Sequence, residues 1–136
     1  MTSSSSSDLN WILSGFAGRI PEVTQAIAVS VDGFALAYTG VDRDDADRLA
    51  AIASGMVNLL SAAAQLTKTD PVEHSLTAME GGYMFSMAVS NGASLLVTTT
   101  READIGEVSY LMSELINQVG EALSPQIREP APPISR

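Results

Sequence analysis

The chain has 136 residues, 46% hydrophobic and 17% charged, a balance that suits one folded domain with a single modest core. With 0 Cys it holds no disulfide framework, thiolate metal site or cysteine nucleophile, which fits a reducing cytoplasm, the expected localisation. The net charge is −9, and Lys68 with scattered arginines makes no basic patch, so neither nucleic-acid binding nor attachment to an anionic membrane is expected.

The chain opens MTSSSSSD, which lacks a basic n-region and a continuous apolar h-region, so no signal peptide is expected. Residues 1–7 read as a disordered serine-rich tail. Asp8 is placed to cap a short helix from Leu9 to about Gly18, whose Leu9, Ile12, Leu13 and Phe16 share one face. Trp11 lies off that stripe and is expected at the edge of the core, with service to a partner as the alternative. Pro21 stops the helix.

A hairpin follows. Ala26 to Val31 and Phe34 to Thr39 flank Asp32-Gly33, a pair that supplies positive φ at little steric cost. A long helix, about Asp42 to Gln65, opens with Asp42, Asp44, Asp45 and Asp47. Their spacing does not match a calcium loop: Asp47 stands where glycine is needed and Ala53 where the closing Glu is needed. Carboxylates at a helix N-terminus instead complement its free N–H groups. Leu49, Ile52, Met56, Leu59 and Ala63 form one stripe, expected to cover a sheet. Ala51, Gly55, Asn58 and Ala62 form a second line of mostly small residues. Glycine inside a helix costs about 1 kcal/mol relative to alanine, and it allows another backbone close. This line is read as a contact between two subunits.

After Asp70-Pro71, a candidate strand from Val72 to Met79 leads to a Gly81-Gly82 turn. Tyr83 to Ser90 alternates, Asn91-Gly92 turns, and Ala93 to Thr100 returns, giving an antiparallel three-strand meander. No apolar run reads as long enough to span a membrane, and no membrane insertion is expected. The last helix runs from about Asp104 to Leu123. Asp104 is its N-cap, with Glu107 at capping-box spacing, and Ile105, Val108, Leu111, Met112, Leu115, Val119 and Ala122 line one face. Ser124-Pro125 is expected to end it, leaving a proline-rich tail in which Pro130 and Pro133 have PxxP spacing. The domain spans 8–124 between tails at 1–7 and 125–136. Its class is α/β in an α+β arrangement, a single five-stranded antiparallel sheet flanked by helices, in the order α-β-β-α-β-β-β-α.

Residues for chemistry are scarce. His74 is the sole histidine and has no evident partner. There is neither a G-x-S-x-G elbow nor a phosphate-binding G-x-x-x-x-G-K-[ST] loop. Arg43, Arg48 and Arg101 are the candidates for an arginine finger in trans, although Arg43 and Arg48 stand among aspartates that they can neutralise. Neither an enzyme nor a cofactor is expected.

WILSGFAGRIPEVTQAIAVSVDGFALA, the alanine-rich helix, and VEHSLTAMEGGYMFSMAVSNGASLLVTTTREADIG together resemble the roadblock family, the dynein light-chain-seven type, in its bacterial form. The resemblance covers about Leu9 to Leu123 and implies a roadblock/profilin-like fold. It implies a homodimer in which the long helices pack together and the third strands pair into one sheet. On this chain that surface maps to Ala51, Gly55, Asn58 and Ala62 and to Val72, His74 and Leu76. It further implies a small Ras-like GTPase as partner, within a signalling group that can include a sensor-kinase-like protein. Asp42, Arg43, Asp44, Asp45 and Arg48 are the candidate partner-binding residues, an acidic end suited to steer a basic patch. The alternative function is a small-molecule sensor of profilin- or PAS-like architecture, with a pocket among Phe34, Tyr38, Tyr83 and Phe85.

Overall fold

A computed structural model describes residues 2–89 and 92–128, with side chains over 8–89 and 92–123. The chain runs α1 (Thr2–Arg19), β1 (Val23–Val29), β2 (Ala35–Thr39), α2 (Arg43–Thr67), β3 (His74–Met79), β4 (Gly82–Ala88), β5 (Ser94–Thr100) and α3 (Ile105–Arg128). The expected element order and sheet are therefore present. The five strands form one antiparallel sheet in the order β2-β1-β5-β4-β3. A hairpin and a meander are joined edge to edge when β5 pairs with β1, from Val29↔Ser94 to Val23↔Thr99.

Local chemistry sets the turns. Gly33 has φ +88°, and the hairpin closes through Gly33 N–H to the Ser30 carbonyl and Ser30 N–H to the Phe34 carbonyl. The β3–β4 turn is Glu80-Gly81, one residue earlier than expected, because Met79 pairs with Gly82. Gly82 is already strand, and a Cβ there would run into the Thr99 carbonyl oxygen of β5. Asn91 lies outside the described residues, but Val89 N–H reaches the Ala93 carbonyl at 2.8 Å and Ala88 pairs with Ser94, so the second hairpin forms. The Asp70–Pro71 peptide before β3 is cis.

The helices cover opposite faces of the sheet. On one face α1 and α3 bury Leu9, Leu13, Phe16, Val108, Met112 and Val119 against Ala26, Ala28, Phe85, Leu95 and Val97. Each fully buried Leu, Val or Phe stabilises by about 1.5–3 kcal/mol relative to exposure. On the other face α2 sets Ala50 and Ala53 on Ile27, Val29 and Leu96.

Four expectations need correction. First, α1 begins at Thr2, so Asp8 is an exposed residue inside the helix and not its cap. Serine is a middling helix former, and a run of it neither drives nor forbids a helix. Second, α3 continues through Ser124-Pro125 to Arg128. Proline removes one backbone donor without forbidding helical φ. Residues 129–136, with Pro130 and Pro133, lie outside the described residues. Third, α2 is buried at Ala46, Ala50, Ala53 and Ala64, with Ala50 and Ala53 on the sheet; of the predicted stripe Leu49 packs beside them and Met56 is half-buried, while Ile52 (53% exposed) and Leu59 (75%) face away. A helix lying close over strands has room for methyl groups at its line of contact but not for leucines. Fourth, Trp11 is 79% exposed, because the buried line of α1 is Leu9, Leu13 and Phe16, continued by Ile20 just past its end, with Trp11 to one side.

Candidate interaction surface

The outward face of α2 gathers several of the exposed apolar residues among those described. Ala51, Gly55, Asn58 and Ala62, the line read as a subunit contact, are all exposed. Ile52, Leu59 and Leu66 (85% exposed) stand beside them, and Val31 and Phe34 of the β1–β2 hairpin are exposed as well. The hairpin lies close to α2, since a Cβ at Gly33 would meet Ser54 at 3.3 Å. A Cβ at Gly55 meets nothing within 4 Å, so the glycine relieves no crowding within its own chain. By length and apolar composition alone α2 also passes for a membrane span, contrary to the sequence expectation. Ala50 and Ala53 of this helix are packed on the sheet, while most of its apolar stretch is unburied in the single chain.

The acidic start of α2 mainly serves the helix. Asp42 is the N-cap, its Oδ1 accepting from Asp45 N–H at 2.9 Å. Arg48 pairs with Asp45 at 3.5 Å on the surface. Arg43 and Asp44 are exposed. The structure thus brings the five candidate partner-binding residues together on one turn-and-a-half, with Asp42 and Asp45 already engaged inside it.

The two sheet edges differ. β2 is blunted: Tyr38 N–H donates to Asn10 Oδ1 of α1 at 3.2 Å, and Ala35 N–H donates to Asp47 Oδ1 of α2 at 3.4 Å. Among the described residues no side chain accepts from a β3 backbone N–H; the Arg101 guanidinium reaches only the Met79 carbonyl at its end, at 3.1 Å. An edge with free backbone groups is a template for another strand. His74 and Leu76 are exposed on β3, and Val72 just before it is half-buried. Val72 and His74 also line a cleft of about 300 Å³ with Val57, Leu60 and Ser61 of α2, on the side of that helix nearer its buried alanines; the predicted helix residues Ala51, Gly55, Asn58 and Ala62 do not line it. Nothing in the sequence patterning marked Asn10 and Asp47 as the groups that leave β3 as the open edge.

The aromatic residues proposed for a sensor pocket do not converge. Phe34 is exposed at the hairpin, Tyr38 packs on the α2 side, and Tyr83 and Phe85 pack with the α1–α3 core, their ring centroids 6.3 Å apart. Arg101, a finger candidate, lies 4.9 Å over the Tyr83 ring. No group of three His, Cys, Asp or Glu side chains gathers among the described residues. Tyr110 is raised above its ordinary 10.0 by its hydrogen bond to Glu114 and by that carboxylate's charge.

A Roadblock/LC7 domain family matches the chain over residues 9–99. A comparison with curated proteins finds no match. Among solved structures, one Roadblock/LC7 domain from Streptomyces avermitilis is 37% identical, with a TM-score of 0.67 over 81% of this chain and 96% of its own. Another from the same organism is 29% identical, with a TM-score of 0.78 over 87% and 96%. MglB of Myxococcus xanthus is 13% identical with a TM-score of 0.80 over 88% and 90%, a likeness of fold alone.

Proposed function

The chain belongs to the Roadblock/LC7 domain family, and on that premise we propose that it is a noncatalytic, dimeric regulatory or scaffold protein for a small Ras-like GTPase in the cytoplasm, with a sensor-kinase-like protein as a further partner. The observation that carries the reading is the outward apolar face of α2, in a molecule whose β3 edge is left open. Removing that surface from water drives association. Pairing two β3 strands satisfies the backbone groups that β2 already satisfies internally. The resulting dimer offers a composite surface with the acidic ends of α2 exposed, suited to steer a basic patch on the GTPase. To regulate, the dimer must bind one nucleotide state more tightly than the other; equal affinity makes it a scaffold.

Two measurements test this. Light scattering should give a dimer for the wild type. Gly55→Leu should be monomeric at the same concentration yet keep the native circular dichroism of the wild type, since the added side chain has open space in the single chain. A Gly55→Leu variant that stays dimeric on dilution rules out this interface. Tagged protein should recover a small GTPase from native lysate, mainly in GDP or mainly in GTP-analogue buffer. Recovery in neither removes the partner assignment.

A further inference from the structure

Trp11 is the sole tryptophan of the chain and is 79% exposed, on the sheet face opposite α2. It is not a stray apolar residue on a flat surface. With Ile12 and Gln118 it is shared by two adjoining clefts between α1 and α3, of about 220 Å³ and 460 Å³. One wall is Trp11, Gly15 and Arg19, each one helical turn from the next. The other runs along α3 from Leu111 through Glu114 and Gln118 to Glu121. That length is about 15 Å, near three helical turns. A Cβ at Gly15 meets nothing within 4 Å, so the middle of that wall is open.

The rim is acidic. Asp8, Glu114 and Glu121 border the groove against Arg19 alone, in a chain of net charge −9. We infer that the α1–α3 groove is a docking site for a basic amphipathic helix of a partner protein, anchored on Trp11. Helix-in-groove binding uses such a slot between two helices. An exposed indole is the residue best suited both to anchor an apolar side chain and to attract a lysine or arginine over its face. A second copy of this chain is disfavoured because the two acidic rims would face each other. The groove lies across the sheet from α2 and β3, so this inference does not rest on the proposed dimer or on a GTPase.

The test uses the full chain and Trp11 emission. The probe is a short amphipathic peptide of leucine and lysine, with a leucine–glutamate peptide of the same pattern as control. The lysine peptide should shift the emission to the blue in a saturable manner, weaken with added salt, and leave the signal unchanged when replaced by the glutamate peptide. Gly15→Gln, which fills the groove from an exposed helix position, should lower affinity about ten-fold or more. Glu114→Lys with Glu121→Lys should abolish the salt dependence. Three results overturn the inference: equal response to both peptides, unchanged affinity in Gly15→Gln with native circular dichroism, or wild-type emission already blue and shielded from acrylamide before any peptide is added. The last would mean that the chain itself closes the groove. Gly55→Leu should bind the lysine peptide as the wild type does, which separates failure of this site from failure of the α2 surface.

Discussion

Gly82 shows how much one hydrogen atom in place of a methyl group decides here. It is buried in β4 with the Thr99 carbonyl of β5 where its Cβ would be. Gly82→Ala has to push two central strands apart and should cost at least about 2 kcal/mol, read as a fall in denaturant midpoint without a change in slope. Gly15 gives the opposite sign. It sits in α1 with open space around its Cβ, so Gly15→Ala should stabilise by about 0.5–1 kcal/mol. Asn10 makes a different contribution. Its side chain closes the Tyr38 N–H on the β2 edge. Asn10→Ala should cost about 1 kcal/mol, and its sharper signature is slow aggregation at high concentration, because an opened edge pairs with others. If Asn10→Ala loses stability yet stays as soluble as the wild type, the edge-blunting role is wrong and the bond is merely local.

At the scale of elements, α2 carries two apolar stripes at helical spacing, and their roles are the reverse of what side-chain size suggests. Ala46, Ala50, Ala53 and Ala64 are buried with Leu49 beside the sheet-side core, while Ile52, Leu59 and Leu66 face out along with Ala51 and Ala62. Ala53→Leu should therefore cost about 1–3 kcal/mol by overpacking. Leu59→Ser should leave the single-chain fold within about 0.5 kcal/mol of wild type while weakening self-association. This is also where the limits of the sequence lie. Turn chemistry was legible, because Asp32-Gly33 and the alternating strands on either side of Asn91-Gly92 act through neighbours in the chain. So was the Asp104 cap, which accepts from the Glu107 backbone N–H; Asp42, read only as part of an acidic helix start, is in the structure a cap as well, accepting from Asp45 N–H. The choice between two stripes was not legible, since it depends on how closely α2 approaches β1, a distance no periodicity encodes. Trp11 was misplaced for the same reason. Its exposure follows from where α3 lies against α1, and α1 itself carries apolar residues on more than one side. The small-residue line of α2 was legible as an outward surface because glycine in a helix interior has a cost that needs an explanation. The blunting of β2 by Asn10 and Asp47 joins residues 28 and 12 positions apart and has no local signature.

At the scale of the whole molecule, the sheet separates two surfaces that need not communicate. The α2 face is apolar, and the molecule also has an open strand edge at β3, two features that suit a large, obligate-style contact. The α1–α3 face is a narrow groove with an acidic rim, which suits a smaller, salt-sensitive one. If α2 and β3 hold two chains together, folding and association are linked, and stability must depend on protein concentration. For a dimer of this length that unfolds to separate chains, each ten-fold rise in concentration should raise the thermal midpoint by about 3 °C. Gly55→Leu should abolish the slope, because the substitution strains nothing within one chain and removes only the association. Gly15→Gln should keep the slope intact, shifted only by its own effect on α1. A wild-type midpoint that does not move with concentration would mean that the outer face of α2 is stable in water as a monomer's surface. The same flat response in both variants would locate any function of this chain on surfaces that bind other proteins without self-association.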